Sequence, residues 1–172
     1  MQASSHCERY YGPGMKLREI IVTKAIYPSL QHTKRDLAIG ELLDGLITAG
    51  VVPVDARAGL LKETAARERK GSTGFGHGVA VPHAKTAIVE RPFAAIGLSS
   101  TGIDFNSLDR QPVFAVVFML SPLSNLEMHL NAMESVFGAL SQESFRRFLR
   151  QARTAEDVIT LLDETDASTL PR

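Results

Sequence analysis

The chain has no tryptophan, a single cysteine, and no excess of charge of either sign. A lone thiol, Cys7, excludes an internal disulfide and fits a reducing compartment. Nineteen basic residues against nineteen acidic ones give no general attraction to nucleic acid or to an anionic membrane surface, so partners are expected to be proteins read through local patches. Long apolar runs are also missing. The longest, residues 113–120, falls far short of the ~20 residues a membrane helix needs, so no membrane insertion is expected. The first residues, MQASSHCERYYGPG, have neither a basic start nor an apolar stretch, which excludes a secretory signal. They are expected to form a disordered leader over residues 1–14, ahead of one domain over 15–165 and a loose tail over 166–172. A chain of 172 residues suits one well-buried domain, with no internal repeat and a cytoplasmic setting.

Glycine, by contrast, is concentrated in one place. Residues 67–85 read RERKGSTGFGHGVAVPHAK and hold Gly71, Gly74, Gly76 and Gly78, then Val79, Ala80, Val81, Pro82 and His83. Glycines allow tight turns and close backbone approach. The run 79–81 pairs as a strand that Pro82, lacking an N–H, ends. That presents His83 at a strand terminus, where a neutral imidazole is a nucleophile suited to a phosphoryl group. Arg67 offers a planar fork for phosphate oxygens.

The rest of the pattern alternates. A short edge strand or extended segment is expected around Ile20, Ile21 and Val22. Thr33 and Asp36 form a T-x-x-D cap for a helix ended by Gly50. Pro53 and Asp55 suit the start of a second helix over about 54–68, with Arg67 in its last turn. The runs 79–81, 93–98 and 113–120 read as strands. The last is apolar throughout, which implies cover on both faces. Ser124 and Glu127 make a capping box for a helix to about residue 140, and two more helices follow, about 142–151 and 155–163, the latter capped by Thr154 with Asp157. The expected fold is α/β: a single-domain sandwich with a small central mixed β-sheet flanked by helices on both faces.

Several of these residues carry a family resemblance. Arg67-Glu68, Gly71-Ser72-Thr73-Gly74 and Gly78-Val79-Ala80-Val81-Pro82-His83-Ala84 resemble the active-site signature of type-2 enzyme IIA domains of the bacterial phosphotransferase system, the fructose and mannitol class. The likeness continues through Ile103-Asp104-Phe105, Asp109-Arg110-Gln111-Pro112-Val113 and His129, and the Gly-Ser-Thr-Gly turn is most similar to the nitrogen-regulatory branch. The resemblance implies a phosphohistidine carrier. His83 would accept a phosphoryl group from an HPr-type carrier protein, with His129 supporting and Arg67 clamping phosphate. The group would pass to an enzyme IIB domain, or the phosphorylation state would be signalled to regulatory protein targets. No cofactor and no metal is called for.

Each residue also has a plainer reading. His129, about one turn into its helix, would be a core histidine, but helix N-termini favour anions. Arg67 would be a solvated helix-end cation. His77 is expected at the rim without a chemical role. The glycine cluster is no nucleotide loop, since no G-x-x-x-x-G-K-[ST] is present. Two other classes compete with the carrier. His77, His83 and His129 would make a three-histidine metal-binding protein or hydrolase, although no H-x-x-x-H spacing supports it; a pure regulatory binding module would not need an intact His83.

Overall fold

A computed structural model describes residues 14–168; the leader expected over 1–14 lies, except for Gly14, outside the described residues. The described residues form six strands in one mixed sheet and six helices. A helical turn, α1 (Leu17–Ile20), leads into β1 (Ile21–Tyr27). Next come α2 (Arg35–Thr48), a 3-10 turn (Val54–Ala56) and α3 (Arg57–Arg69). Three short strands follow, β2 (Gly74–Gly76), β3 (Val79–Ala80) and β4 (His83–Thr86). The long strands β5 (Phe93–Ile103) and β6 (Val113–Pro122) come next, and α4 (Leu126–Leu140), α5 (Glu143–Gln151) and α6 (Ala155–Ser168) complete the chain.

The sheet order is β1-β5-β6-β3-β2, with β4 also on β6, so the weakly patterned β1 is an edge strand as expected. Strand β6 is central. Its side chains alternate: Ala115, Val117 and Met119 face one core with α4, α5 and α6, while Val116, Phe118 and Leu120 face another with α2 and α3. A strand covered on both faces has no polar side to show, which is why 113–120 is apolar at every position. The expected sandwich is the fold observed, and no helix among the described residues is long and apolar enough to cross a membrane.

Local details correct several boundaries. Helix α2 is capped at Lys34 without a side-chain bond, and α4 at Asn125, whose Oδ1 accepts from the Met128 N–H at 3.0 Å. Thr33 and Ser124 therefore do not cap. Gly50 does end α2, with φ +79° and the Gly50 and Val51 N–H groups returning to Ile47 and Leu46 carbonyls, a left-handed close that suits glycine. Thr154 and Asp157 exchange the expected bonds, 3.1 Å and 3.0 Å. Helix α6 does not stop at 163 but runs to Ser168. The Asp166 carboxylate accepts from the Leu17 and Arg18 N–H groups at 2.8 and 3.0 Å, caps α1, and docks what was expected to be the start of a loose tail. Residues 169–172 lie outside the described residues.

Candidate phosphoryl-transfer site

Helix α3 ends at a turn that its own residues hold. Arg67 Nη1 donates to the Gly71 carbonyl at 2.9 Å. The buried Glu68 carboxylate accepts from the Thr73 N–H and the Thr73 hydroxyl, with Arg35 Nη1 3.8 Å away. Ser72 Oγ donates to the Phe105 carbonyl at 2.6 Å. A Cβ on Gly74 would come within 3.1 Å of the Cβ atoms of Phe105 and Ser107, so glycine there permits the close approach. The turn thus locks the N-terminal side of β2, and the Val81 N–H bonds the Thr73 carbonyl beyond it.

Pro82 does not end the strand. Strands β3 and β4 run parallel to β6 in one register, Val79 opposite Ala115 and His83 opposite Met119, and the Pro82 carbonyl accepts from Met119 N–H at 3.0 Å. Proline removes one donor from the ladder but keeps its acceptor, so pairing resumes at His83. What stops at Pro82 is the outer neighbour: β2 covers β3 only, and His83 begins the uncovered part of the edge. Alternate residues of a strand address the same edge. The Val81 carbonyl therefore lies on the outer side, where His83 Nδ1 meets it at 2.9 Å. A carbonyl only accepts, so Nδ1 carries the proton and Nε2 keeps its lone pair.

His129, in the first turn of α4, closes the other side. Its ring centroid is 5.8 Å from that of His83. Its Nδ1 lies 2.5 Å from Ser121 Oγ, and both residues are buried. Ser121 has no other side-chain hydrogen bond among the described residues. Donation of the Ser121 O–H to Nδ1 would put the proton of neutral His129 on Nε2, and the reverse sense is equally open to a hydroxyl. Burial pushes the pKa of both rings below the ordinary histidine value. For His83 the Arg67 and Lys85 cations add to that effect, opposed by the Val81 bond and Glu68; for His129 Lys85 and His83 add to it. Both are neutral at pH 7. The site therefore sets the free Nε2 lone pair of His83 beside a second neutral imidazole and the positive charge of Arg67 and Lys85.

His83, Arg67 and His129 are brought together; His77 is not. It sits on the β2–β3 turn, exposed, at φ +59°, its N–H bonded to Asp109 Oδ2 at 3.1 Å. Among the described residues no group of three or more His, Cys, Asp or Glu is arranged to hold a metal ion, which removes the geometry the three-histidine alternative requires. Sequence reasoning gave no role to Ser121, Lys85 or Glu68. Ser121 has a signal, as the first polar residue after the apolar run of β6, but nothing local tells which partner it meets.

The family model for the phosphoenolpyruvate-dependent sugar phosphotransferase system, EIIA 2, matches residues 19–165. The fructose-specific EIIABC component of Bacillus subtilis is 31% identical over 88% of this chain, which spans only 24% of that protein. A nitrogen regulatory protein of Bradyrhizobium diazoefficiens is 30% identical over 86% of this chain and 95% of its own length. Among solved structures, the nitrogen regulatory protein IIA-Ntr of Neisseria meningitidis superposes with a TM-score of 0.75 at 28% identity, covering 84% of this chain and 97% of that one.

Proposed function

The chain belongs to the EIIA 2 family of the phosphoenolpyruvate-dependent sugar phosphotransferase system, and from that premise we propose that it is a phosphohistidine carrier whose phosphoryl acceptor is His83. The observation that carries the assignment is the Nδ1–H to Val81 carbonyl bond, which fixes the tautomer and leaves Nε2 as the nucleophile. Nε2 attacks the phosphorus of a phosphohistidine on the donor. A new N–P bond forms and the donor's N–P bond breaks, its electron pair staying on the donor ring nitrogen. His83 keeps its Nδ1 proton, so its ring becomes cationic, and the Val81 carbonyl stabilises that charge. No proton needs to be moved. His129 Nε2–H donates to a phosphoryl oxygen, and Arg67, with one donor committed to Gly71, has further guanidinium donors for the others. Stabilisation of the transferring group is electrostatic.

The donor is an HPr-like phosphocarrier protein, and the acceptor an enzyme IIB domain or a regulatory protein that reads the phosphorylation state. The exposed side chains of Leu123, Leu126 and Leu130, beside His129, support protein docking over a small substrate. Both outlets have support in relatives: one is part of an EIIABC component and another a nitrogen regulatory protein. The work is cytoplasmic, in line with the single cysteine.

The test is single-turnover labelling from a phosphorylated donor carrier. The parent acquires an acid-labile, alkali-stable mark, His83→Ala acquires none, and His129→Gln labels completely but slowly with a chelator present throughout. Label retained by His83→Ala refutes the acceptor assignment.

A further inference from the structure

Helix α5 carries Arg146, Arg147 and Arg150, and Arg153 follows its end. All four line one groove of about 500 Å³ on the side of the sheet that carries His77. Gly78, Val79 and Phe114 line it as well. Arg150 lies over the Phe114 ring, its guanidinium carbon 3.7 Å from the centroid. Arg146 is committed to the fold, donating to the Leu140 and Ser141 carbonyls at 2.9 and 2.8 Å. Among the described residues none of Arg147, Arg150 and Arg153 is ion-paired to a carboxylate, and Glu143 is the one acidic residue lining the groove.

This arrangement works against stability. Arg146 and Arg150 are four apart on the helix, Arg147 and Arg150 three apart, and like charges at those spacings repel. The favourable helix dipole acts only on the last turn. A chain with equal numbers of acidic and basic residues has acids to place nearby, yet four arginines line this concavity against the single carboxylate of Glu143. Guanidinium forks match phosphate geometry, and one held flat on an aromatic ring is pre-oriented. The groove has the volume of a small-molecule site.

We propose that this groove is a second anion site, separate from His83, which binds a small molecule bearing two or three adjacent phosphates. Arg147 and Arg150 grip successive phosphates and Arg153 closes the end. The phosphate chain is the recognised element, whether inorganic or the tail of a nucleotide.

Isothermal titration of the full chain with sodium tripolyphosphate, and in parallel with ATP without metal, tests the assignment. The expected result is saturable binding of one molecule per chain, tighter than about 1 mM, weakened at least tenfold in Arg147→Gln/Arg150→Gln and severalfold in Arg153→Gln, and kept in His83→Ala. Tighter binding of ATP than of tripolyphosphate identifies a nucleotide; equal binding identifies the phosphate chain alone. Thermal melts of the variants in the absence of ligand are expected to stay close to the parent, because relieved repulsion offsets the lost contact of Arg150 with Phe114. No saturation at millimolar ligand overturns the proposal, as does affinity that survives the double variant in a folded protein or disappears in His83→Ala. An acidic peptide of equal charge binding as tightly as tripolyphosphate overturns it in favour of a protein-docking face.

Discussion

His83 and His129 face each other with ring centroids 5.8 Å apart, and in each ring Nδ1 is already engaged, by the Val81 carbonyl in one and the Ser121 hydroxyl in the other. The two partners differ in kind. A carbonyl only accepts and so places the proton on Nδ1 of His83, whereas a hydroxyl serves Nδ1 of His129 in either sense. One ring is thereby set as the nucleophile, with the second beside it.

Ser121→Ala removes the hydroxyl bonded to His129 Nδ1. It leaves a buried ring nitrogen without a partner, at a cost of about 1–3 kcal/mol. The variant is expected to melt lower and to label about tenfold more slowly. Nitrogen-15 chemical shifts of His129 should move as Nδ1 loses its partner. Unchanged shifts with an unchanged rate would return Ser121 to a purely structural role.

Arg67→Lys keeps the charge but loses the fork, because an ammonium is a point donor. One charge-assisted hydrogen bond contributes about 1.5–3 kcal/mol, so transfer should slow by about tenfold to a hundredfold. The turn also loses its tie to Gly71. A circular-dichroism melt run beside the labelling assay separates the two effects: a slow variant with a parent-like melt assigns Arg67 to the phosphoryl group, and a parent-like rate assigns it to the helix end.

Acid should weaken both activity and stability through the same two rings. Their folded pKa values lie below the ordinary 6.5, so the unfolded chain binds protons first as pH falls. The sign follows from linkage: stability is fully present above about 6.5 and declines as pH drops through the lowered folded values. The rate, which needs neutral His83, should be flat from pH 8 to 6.5 and fall below the folded value. Melting temperature measured from pH 8 to 5 should have a shallower slope in His83→Ala/His129→Gln than in the parent. Equal slopes would mean other groups govern the acid limb.

Secondary elements are legible along the chain wherever pattern and punctuation agree. The all-apolar run of β6 demanded cover on both faces, Gly50 closed a helix, Thr154 and Asp157 opened one, and the glycine turn with Pro82 and His83 marked the candidate site. These are local matters, set by side-chain period, backbone freedom and bonds spanning three or four residues. What crosses the chain was decided only by tertiary structure. Pro82 was expected to end a strand, yet β6 supplies a parallel partner on which pairing continues past the missing N–H. Asp166 reaches Leu17 and Arg18 and so extends α6, a contact no local window contains. His77 shares a spacing with His83 that would align them on a straight strand, but its left-handed backbone turns it onto the wall of the arginine groove. Ser121 and His129 are close in sequence, and still their bond depends on how β6 turns into α4. Hydrogen-bond partners of buried polar groups follow from where elements pack, and packing is non-local.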